Sequence, residues 1–258
     1  MTTLVPHTVH LTGRHVRGFL RQPAFVIVTL VQPLIWLLLF GQLFRGIVAL
    51  PGFGAGSYLE FLAPGVVIMT VLFSSGWSGM AFIEDMDRGV MDRMLSSPAS
   101  RGAMMASSVA YTGFTTIIQS LVIVLVAVAS GARFAGGVVG VLVMLVAAVL
   151  LAAAFGSLSN GVALLVRRRE ALIGFSTTLT LPLSFLSSAI IAREAMPGWI
   201  RSVATWNPVD WAVTASRSAL SADPDWPGIG WRLLGLTLVA LVLAALATRA
   251  FRAYQRSV

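Results

Sequence analysis

Six stretches of about 20 predominantly apolar residues, free of acidic and basic side chains in their interiors, constrain this chain more than any other feature. They are Ala24–Phe44, Phe61–Phe82, Ser107–Ser130, Gly140–Val166, Leu172–Ile191 and Leu233–Ala250. A helix of that length crosses the hydrocarbon core of a bilayer, and inside lipid a helix closes all of its own backbone hydrogen bonds. A soluble surface needs roughly 25% charged residues. Here 11% are charged and 57% hydrophobic, spread along the whole chain, which excludes a soluble domain on a single anchor. The expected fold class is therefore all-α and polytopic. One transmembrane domain covers residues 1–258, with a helix over 1–23, six spans over 24–250 and a tail over 251–258.

The N-terminus is not a signal peptide. Its first apolar run follows His7, His10, Arg14, Arg17 and Arg21, lasts a full span, and shows no small-residue cleavage site. Orientation follows from arginine, because the chain has no lysine at all. With both termini inside, each cytoplasmic segment carries three: Arg14, Arg17, Arg21; Arg88, Arg93, Arg101; Arg167, Arg168, Arg169; and Arg249, Arg252, Arg256. The two short outer loops carry one each, Arg45 and Arg133. Arginine asymmetry of this kind places the richer side in the cytoplasm. The long segment 192–232, with Arg193, Arg201, Arg217 and Arg232, runs against the trend. In a membrane chain a net charge of +8 marks cytoplasmic loops rather than a nucleic-acid partner.

Two non-spanning segments have helical spacing. His10, Arg14, Arg17 and Arg21 recur in steps of four, three and four, with Val9, Val16, Phe19 and Leu20 on the other side. The pattern is that of an amphipathic helix in the headgroup plane, joined at Pro23 to the first span. After the second span, Ile83, Met86, Val90 and Met94 form one face, and Asp85, Arg88, Asp92 and Ser96 the opposite one. Four of the ten acids, Glu84, Asp85, Asp87 and Asp92, fall here, and Ser96-Ser97-Pro98 ends the helix. A short mixed-charge helix on the cytoplasmic side suits docking into a groove of a soluble partner. A solvated turn with local ion pairs is the other reading.

The stretch from Glu84 to Arg101 resembles the signature of ABC-2 type exporter permeases, above all the daunorubicin/doxorubicin-resistance kind. The pattern is acidic-Arg-Gly (Asp87, Arg88, Gly89), acidic-Arg-Met-Leu (Asp92, Arg93, Met94, Leu95), then Pro98 and Ser100-Arg101. Gln32-Pro33 in the first span and Asn207-Pro208 before the last also match. The resemblance implies that residues 1–23, with Arg14, Arg17 and Arg21, form a connecting helix. It further implies that the loop bearing Asp85, Asp87, Arg88, Gly89, Asp92, Arg93, Leu95, Pro98 and Arg101 is a coupling helix seated on a nucleotide-binding ATPase subunit. A pair of such ATPases would sit beneath a dimer of permeases, formed with a second copy or a related chain.

ATP chemistry does not belong to this polypeptide. A P-loop needs a lysine on the β- and γ-phosphates, and there is none. No cofactor is expected in this chain, and ATP and Mg would be held by the partner. Zero cysteines exclude disulfides, thiolate metal sites and cysteine nucleophiles. The only histidines, His7, His10 and His15, have no nearby carboxylate to complete a metal site. No metal and no catalytic residue is expected, and spans without interior charge argue against a proton-driven carrier.

Hydroxyl stripes mark two spans. Thr70, Ser74 and Ser78, with Phe73 and Trp77, lie on the second, and Thr177, Thr180, Ser184 and Ser188 on the fifth, which Pro182 interrupts. They fit either hydrogen bonding between helices or the lining of a substrate path. The resemblance supports the path, since it puts spans two and five face to face across a dimer axis. A weakly polar, uncharged lining suits an amphipathic or lipid-like cargo. Ala148, Ala152 and Gly156 form a small-residue strip for close packing. In 192–231, Pro197 and Trp199 open one short helix, and Asn207 caps a second with Pro208 at its first position and Asp210 in its first turn. Trp199, Trp206, Trp211 and Trp226 suit an outer aromatic belt. The segment reads as re-entrant or surface-lying, and the resemblance assigns Asn207 and Pro208 to an outer gate.

The expected function is the permease subunit of an ATP-driven exporter in the cytoplasmic membrane of a bacterium. It would move a hydrophobic drug or lipid-like molecule by alternating access, with membrane lipid around it and no enzymatic activity of its own. A non-transporting scaffold or assembly subunit and a polysaccharide exporter permease are the alternatives left open.

Overall fold

In the computed structural model the described residues are 23–44, 57–91 and 101–255, together with Thr8, Thr12, Gly13, Val16, Arg17, Gly18 and Gly46. They fold into helices joined by short turns. In chain order these are α1 (Pro23–Leu43), α2 (Tyr58–Gly76), α3 (Met80–Asp87), α4 (Arg101–Ala129), α5 (Gly137–Val166) and α6 (Arg169–Phe185). A 3-10 turn (Arg193–Ala195), α7 (Gly198–Ala204), α8 (Pro208–Leu220) and α9 (Trp226–Gln255) follow.

Among the described residues four helices are long and apolar enough to cross a bilayer: Tyr58–Asp87, Ala103–Ala129, Gly137–Val166 and Trp226–Arg252, the first joining α2 and α3. A shorter apolar helix, Ile27–Leu43, lies within α1. The chain is thus membrane-embedded and multi-pass. The fifth expected span does not run to Ile191, because α6 ends at Phe185 after 17 residues. Its last carbonyls are claimed by another element: Asn207 Nδ2 donates to Leu183 O at 2.7 Å and to Leu186 O at 2.9 Å.

α5 is the hub. It packs against α9, α8, α4, α2, α3 and α6. Small side chains allow this, since lipid offers no hydrophobic drive for association and close approach must supply it. Ala147, Ala148, Ala152 and Ala154 are fully buried, and a Cβ added at Gly156 would lie 3.6 Å from Thr112 of α4. Outward-facing leucines and valines such as Leu125, Leu142, Leu238 and Val242 remain exposed, as a lipid-facing surface requires.

The two ends of the bundle differ. At one end Ile83, Met91, Met104, Leu164, Leu172 and Phe251 belong to a separate apolar cluster. It collects the segments expected to be cytoplasmic. The other end collects those expected to be outside: Tyr58 donates its hydroxyl to Ile190 O at 3.2 Å, and Glu60 accepts from Arg133 N–H at 2.9 Å. Gly136 N–H there donates to Leu220 O at 3.1 Å.

The 192–231 segment holds the two short helices that were expected. Asn207 caps α8 by accepting from Val209 N–H, with Pro208 in the first turn. α7 is largely exposed, whereas α8 is buried between α5, α9 and α2, with Val209, Ala212, Val213, Ala215 and Ser216 inaccessible. Trp199, Trp206 and Trp226 are exposed. Trp211 differs from these three: it is half-buried, lies against Gly235 of α9 and donates Nε1–H to Thr205 O at 2.8 Å.

Candidate functional site

The acidic-arginine segment is not one continuous helix. α3 stops at Asp87, and Gly89 turns the chain with a φ of 64°. Arg88 N–H closes on Glu84 O and Gly89 N–H on Met86 O, and helix resumes at Val90 and Met91. A left-handed residue costs a side chain about 1–2 kcal/mol, so glycine is the economical choice. The apolar period survives the turn, since Ile83 and Met91 are both buried. Asp87 and Arg88 are exposed and Asp85 is half-buried. Asp87 Oδ2 accepts from Arg169 of α6, at 2.8 Å from Nη2 and 3.2 Å from Nε, and Arg88 lies 3.9 Å from Glu84. Asp87 is therefore committed within the chain. Asp92, Arg93, Leu95 and Pro98 lie outside the described residues, and Arg101 begins α4. In the connecting segment the described positions are helical and Arg17 is exposed, while Arg14 and Arg21 lie outside them.

Between α2 and α3 the helix breaks at Trp77, Ser78 and Gly79. The ladder tightens there to three-residue steps, with Ser78 N–H on Ser75 O and Met80 N–H on Trp77 O. Kinks at Gly/Ser pairs are a common cause of such breaks, and Ser75-Gly76 and Ser78-Gly79 flank this one. The break frees the Gly76 carbonyl and the Gly79 N–H. Both are closed by Ser159 of α5, whose hydroxyl donates to Gly76 O at 2.6 Å and accepts from Gly79 N–H at 3.0 Å. Ser176 of α6 donates a second bond to Gly76 O at 2.7 Å. Gly79 is pressed so close that an added Cβ would come within 2.4 Å of Ser159 O.

The hydroxyl stripes separate. Thr70 and Ser74 of α2 donate to Val66 O and Val71 O of their own helix, and on α6 Thr180 and Ser184 donate to Ser176 O and Leu181 O. Ser78 instead reaches across, to Gly156 O at 3.1 Å and Asn160 Oδ1 at 3.2 Å, and Asn160 donates to Ser108 Oγ of α4 at 2.9 Å, while Ser188, beyond the end of α6, donates to Asp210 of α8. Thr70, Phe73, Ser74 and Trp77 share a half-open face of α2. Thr180 and Ser184 are buried, and Thr177 is turned outward. Gly76, Phe155, Ser159, Phe175, Ser176 and Thr180 line a crevice with room for about 10 Å³, water-sized and far below the roughly 300–1,000 Å³ of a ligand pocket. The row Thr112, Thr116, Gln119 and Ser120 on the buried face of α4 escaped the sequence reading. Thr116 Oγ1, Gln119 Oε1 and Ser120 Oγ find no partner among the described residues.

At the opposite end Asp210, on buried α8, accepts from Ser188 N–H at 2.8 Å, from Ser188 Oγ at 2.6 Å and from Arg193 Nη1 at 3.4 Å. Arg217, three turns of chain from Asn207 on α8, donates to Phe61 O at 3.1 Å and Ser188 O at 3.0 Å, with its guanidinium 3.6 Å over the Phe61 ring. Asn207, Asp210 and Arg217 thereby tie α8 to the end of α6 and the start of α2. The sequence shows Asp210 only as a first-turn acid and Arg217 only as an off-trend arginine. The groups they meet depend on which helices surround α8.

The fold and its two differentiated ends define a polytopic helical membrane protein with no enzymatic constellation evident among its described residues. The family model described as ABC-2 type transporter matches residues 6–221, so the chain belongs to the ABC-2 type transporter family. It is 27% identical over 250 residues to the daunorubicin resistance ABC transporter permease protein DrrB1 of Streptomyces coeruleorubidus, covering 97% of this chain and 87% of that protein. It is 30% identical over 201 residues to a putative transport permease, ycf38, of Cyanophora paradoxa, covering 76% and 68% respectively. It is 22% identical over 220 residues to the probable doxorubicin resistance ABC transporter permease protein DrrC of Mycobacterium tuberculosis, covering 85% and 79%. Membership in this family makes the chain a membrane transport subunit rather than an enzyme.

Proposed function

We propose that this protein is the membrane-spanning permease of an ATP-driven exporter, working by alternating access with a separate ATPase subunit and a second permease. Its six spans leave both termini in the cytoplasm of a bacterium, and ATP with Mg is bound by the partner. The observation that carries this reading is the exposed, mixed-charge turn at Asp87–Gly89. It sits at the end of the bundle where the arginine-rich segments meet, in a chain without the lysine a P-loop needs. The cargo is a hydrophobic drug or lipid-like molecule. The drug-resistance names of DrrB1 and DrrC support this, as does the uncharged face of Thr70, Phe73, Ser74 and Trp77. The small crevice inside one chain favours a path formed between two permeases, with Thr177, Thr180 and Ser184 contributed by α6. α8 is a re-entrant helix, and Asn207 and Pro208 close its outer gate.

The test is the double variant Arg88→Glu, Arg93→Glu. An exposed ion pair contributes about 0–1 kcal/mol, so insertion and thermal stability should persist. Removing one member of a charge pair buried at an interface costs about 2–5 kcal/mol, roughly 30- to 5,000-fold in affinity. Co-purification of the ATPase and cargo-stimulated hydrolysis should collapse accordingly. A variant that binds its ATPase and transports normally would remove the turn from the mechanism.

A further inference from the structure

We infer that Ser159 is the joint through which movement of α3 reaches α2 and α6, a positioning residue for transport rather than a contact of cargo or ATPase. The inference rests on the exporter reading above and adds the element that passes the motion on.

A continuous helix from Tyr58 to Asp87 would carry a tilt of α3 directly into α2. The chain is broken instead at Trp77–Gly79, so the two segments are connected by three-residue turns and by whatever closes the groups the break exposes. One hydroxyl closes both. Ser159 Oγ donates to the last carbonyl of α2 and accepts the N–H of Gly79 at the head of α3. A hydroxyl is one of the few side-chain groups that can do so, because it donates and accepts through a single rotatable atom. The buried Gly79 N–H is closed by this hydroxyl, and leaving such a group unpaired in an apolar interior is costly. Ser159 itself sits on α5, the helix against which the others pack. The bridge therefore pivots on the most anchored element of the molecule.

The same carbonyl carries the connection onward. Gly76 O also accepts from Ser176 of α6, and Gly76 lacks a side chain where a Cβ would stand 3.1 Å from Thr180 Cγ2. Rotation of the Gly76 carbonyl is thus felt by both Ser159 and Ser176. A second tie between α3 and α6, Asp87 with Arg169, is solvent-exposed on both sides and weak for that reason. The buried hydroxyl pair is the stiffer route. Its neighbours on α2 and α6 are Ser74, Trp77 and Thr180, which belong to the two hydroxyl stripes, so a motion delivered here arrives at the face assigned to cargo.

The experiment uses the full permease with its ATPase in proteoliposomes. The natural chain has no cysteine, so spin labels can be placed at will on the exposed positions Ala81 of α3, Thr178 of α6 and Val138 of α5. In the parent protein, ATP binding should change the Ala81–Val138 and Thr178–Val138 distances together. In Ser159→Ala the first change should persist and the second disappear. ATPase co-purification should stay at the parent level, while cargo moved per ATP should fall about 5- to 150-fold, the usual span of coupling between sites. If Ser159→Ala does not insert, Ser176→Ala removes only the link to α6 and should give the same separation of the two distances. Distances that still change together, with normal cargo per ATP, would overturn the joint. An Ala81–Val138 distance indifferent to the ATPase in the parent protein would instead overturn the exporter reading, and the joint with it.

Discussion

Asp210 shows how much a single buried acid organises. Its carboxylate is 1% exposed and holds Ser188 through both N–H and hydroxyl, with Arg193, 31% exposed, completing the charge balance. Removing one partner of a buried pair costs about 3–5 kcal/mol because the groups left behind are unpaired. Asp210→Ala should sit near the low end of that range, at about 3 kcal/mol, since Arg193 is partly hydrated. Asp210→Asn keeps an acceptor for Ser188 and should cost about half as much. Thermal unfolding of the detergent-solubilised variants measures both, and equal losses would mean that charge, not the acceptor, holds the hairpin. At Gly136 the constraint is purely spatial: a Cβ would stand 2.0 Å from Ala219 O. No charge is involved, only the close approach of α8 to the start of α5.

At the scale of elements, the ends of helices are decided by what claims their terminal groups. α6 stops because Asn207 takes the carbonyls of Leu183 and Leu186 while accepting from Val209 N–H to cap α8. One side chain therefore ends α6 and begins α8. Losing an N-cap costs about 0.5–2 kcal/mol and each net hydrogen bond about 0.5–1.5 kcal/mol. Asn207→Ala should then destabilise by about 2–4 kcal/mol, whereas Asn207→Asp, which caps equally well but cannot donate, should lose only the two carbonyl bonds. Melting temperatures of the pair separate the roles, and identical shifts would sink this account. The α3 end is legible in sequence at Gly89 once its left-handed φ is known. Without it, the buried residues Ile83 and Met91 keep helical spacing and hide the turn.

Across the whole molecule, the segments rich in arginine gather at one end and the tryptophan-bearing turns at the other. Single cysteines at Arg168, Arg252 and Trp206, all exposed, can be read with a membrane-impermeant maleimide on a chain that has no cysteine background. Arg168→Cys and Arg252→Cys should label in inside-out vesicles and Trp206→Cys in intact cells. Arg252→Cys labelling from the same side as Trp206→Cys would overturn the topology. The tryptophans at 199, 206 and 226 are exposed, and sequence position does not separate Trp211 from them, because only its contact with Gly235 leaves it half-buried.

Sequence alone determined the class of the protein: long uncharged apolar runs leave the backbone no partner but itself, so they become membrane helices wherever they occur, and arginine placement orders their ends. The charges and apolar period from Ile83 to Met91 were equally visible, because amphipathic spacing is a local property, whereas the turn at Gly89 was not, because the period continues through it. Tertiary structure alone decided where the fifth helix stops, that Asp210 is buried and Arg217 lies on Phe61, and that Ser159 and Ser176 meet at the Gly76 carbonyl. Each of these is the closure of a hydrogen-bonding group by a residue between 17 and 156 positions away. No periodicity records such a pairing. The cost of leaving a polar group unsatisfied in an apolar interior is what brings those partners together, and it acts only once the helices are side by side.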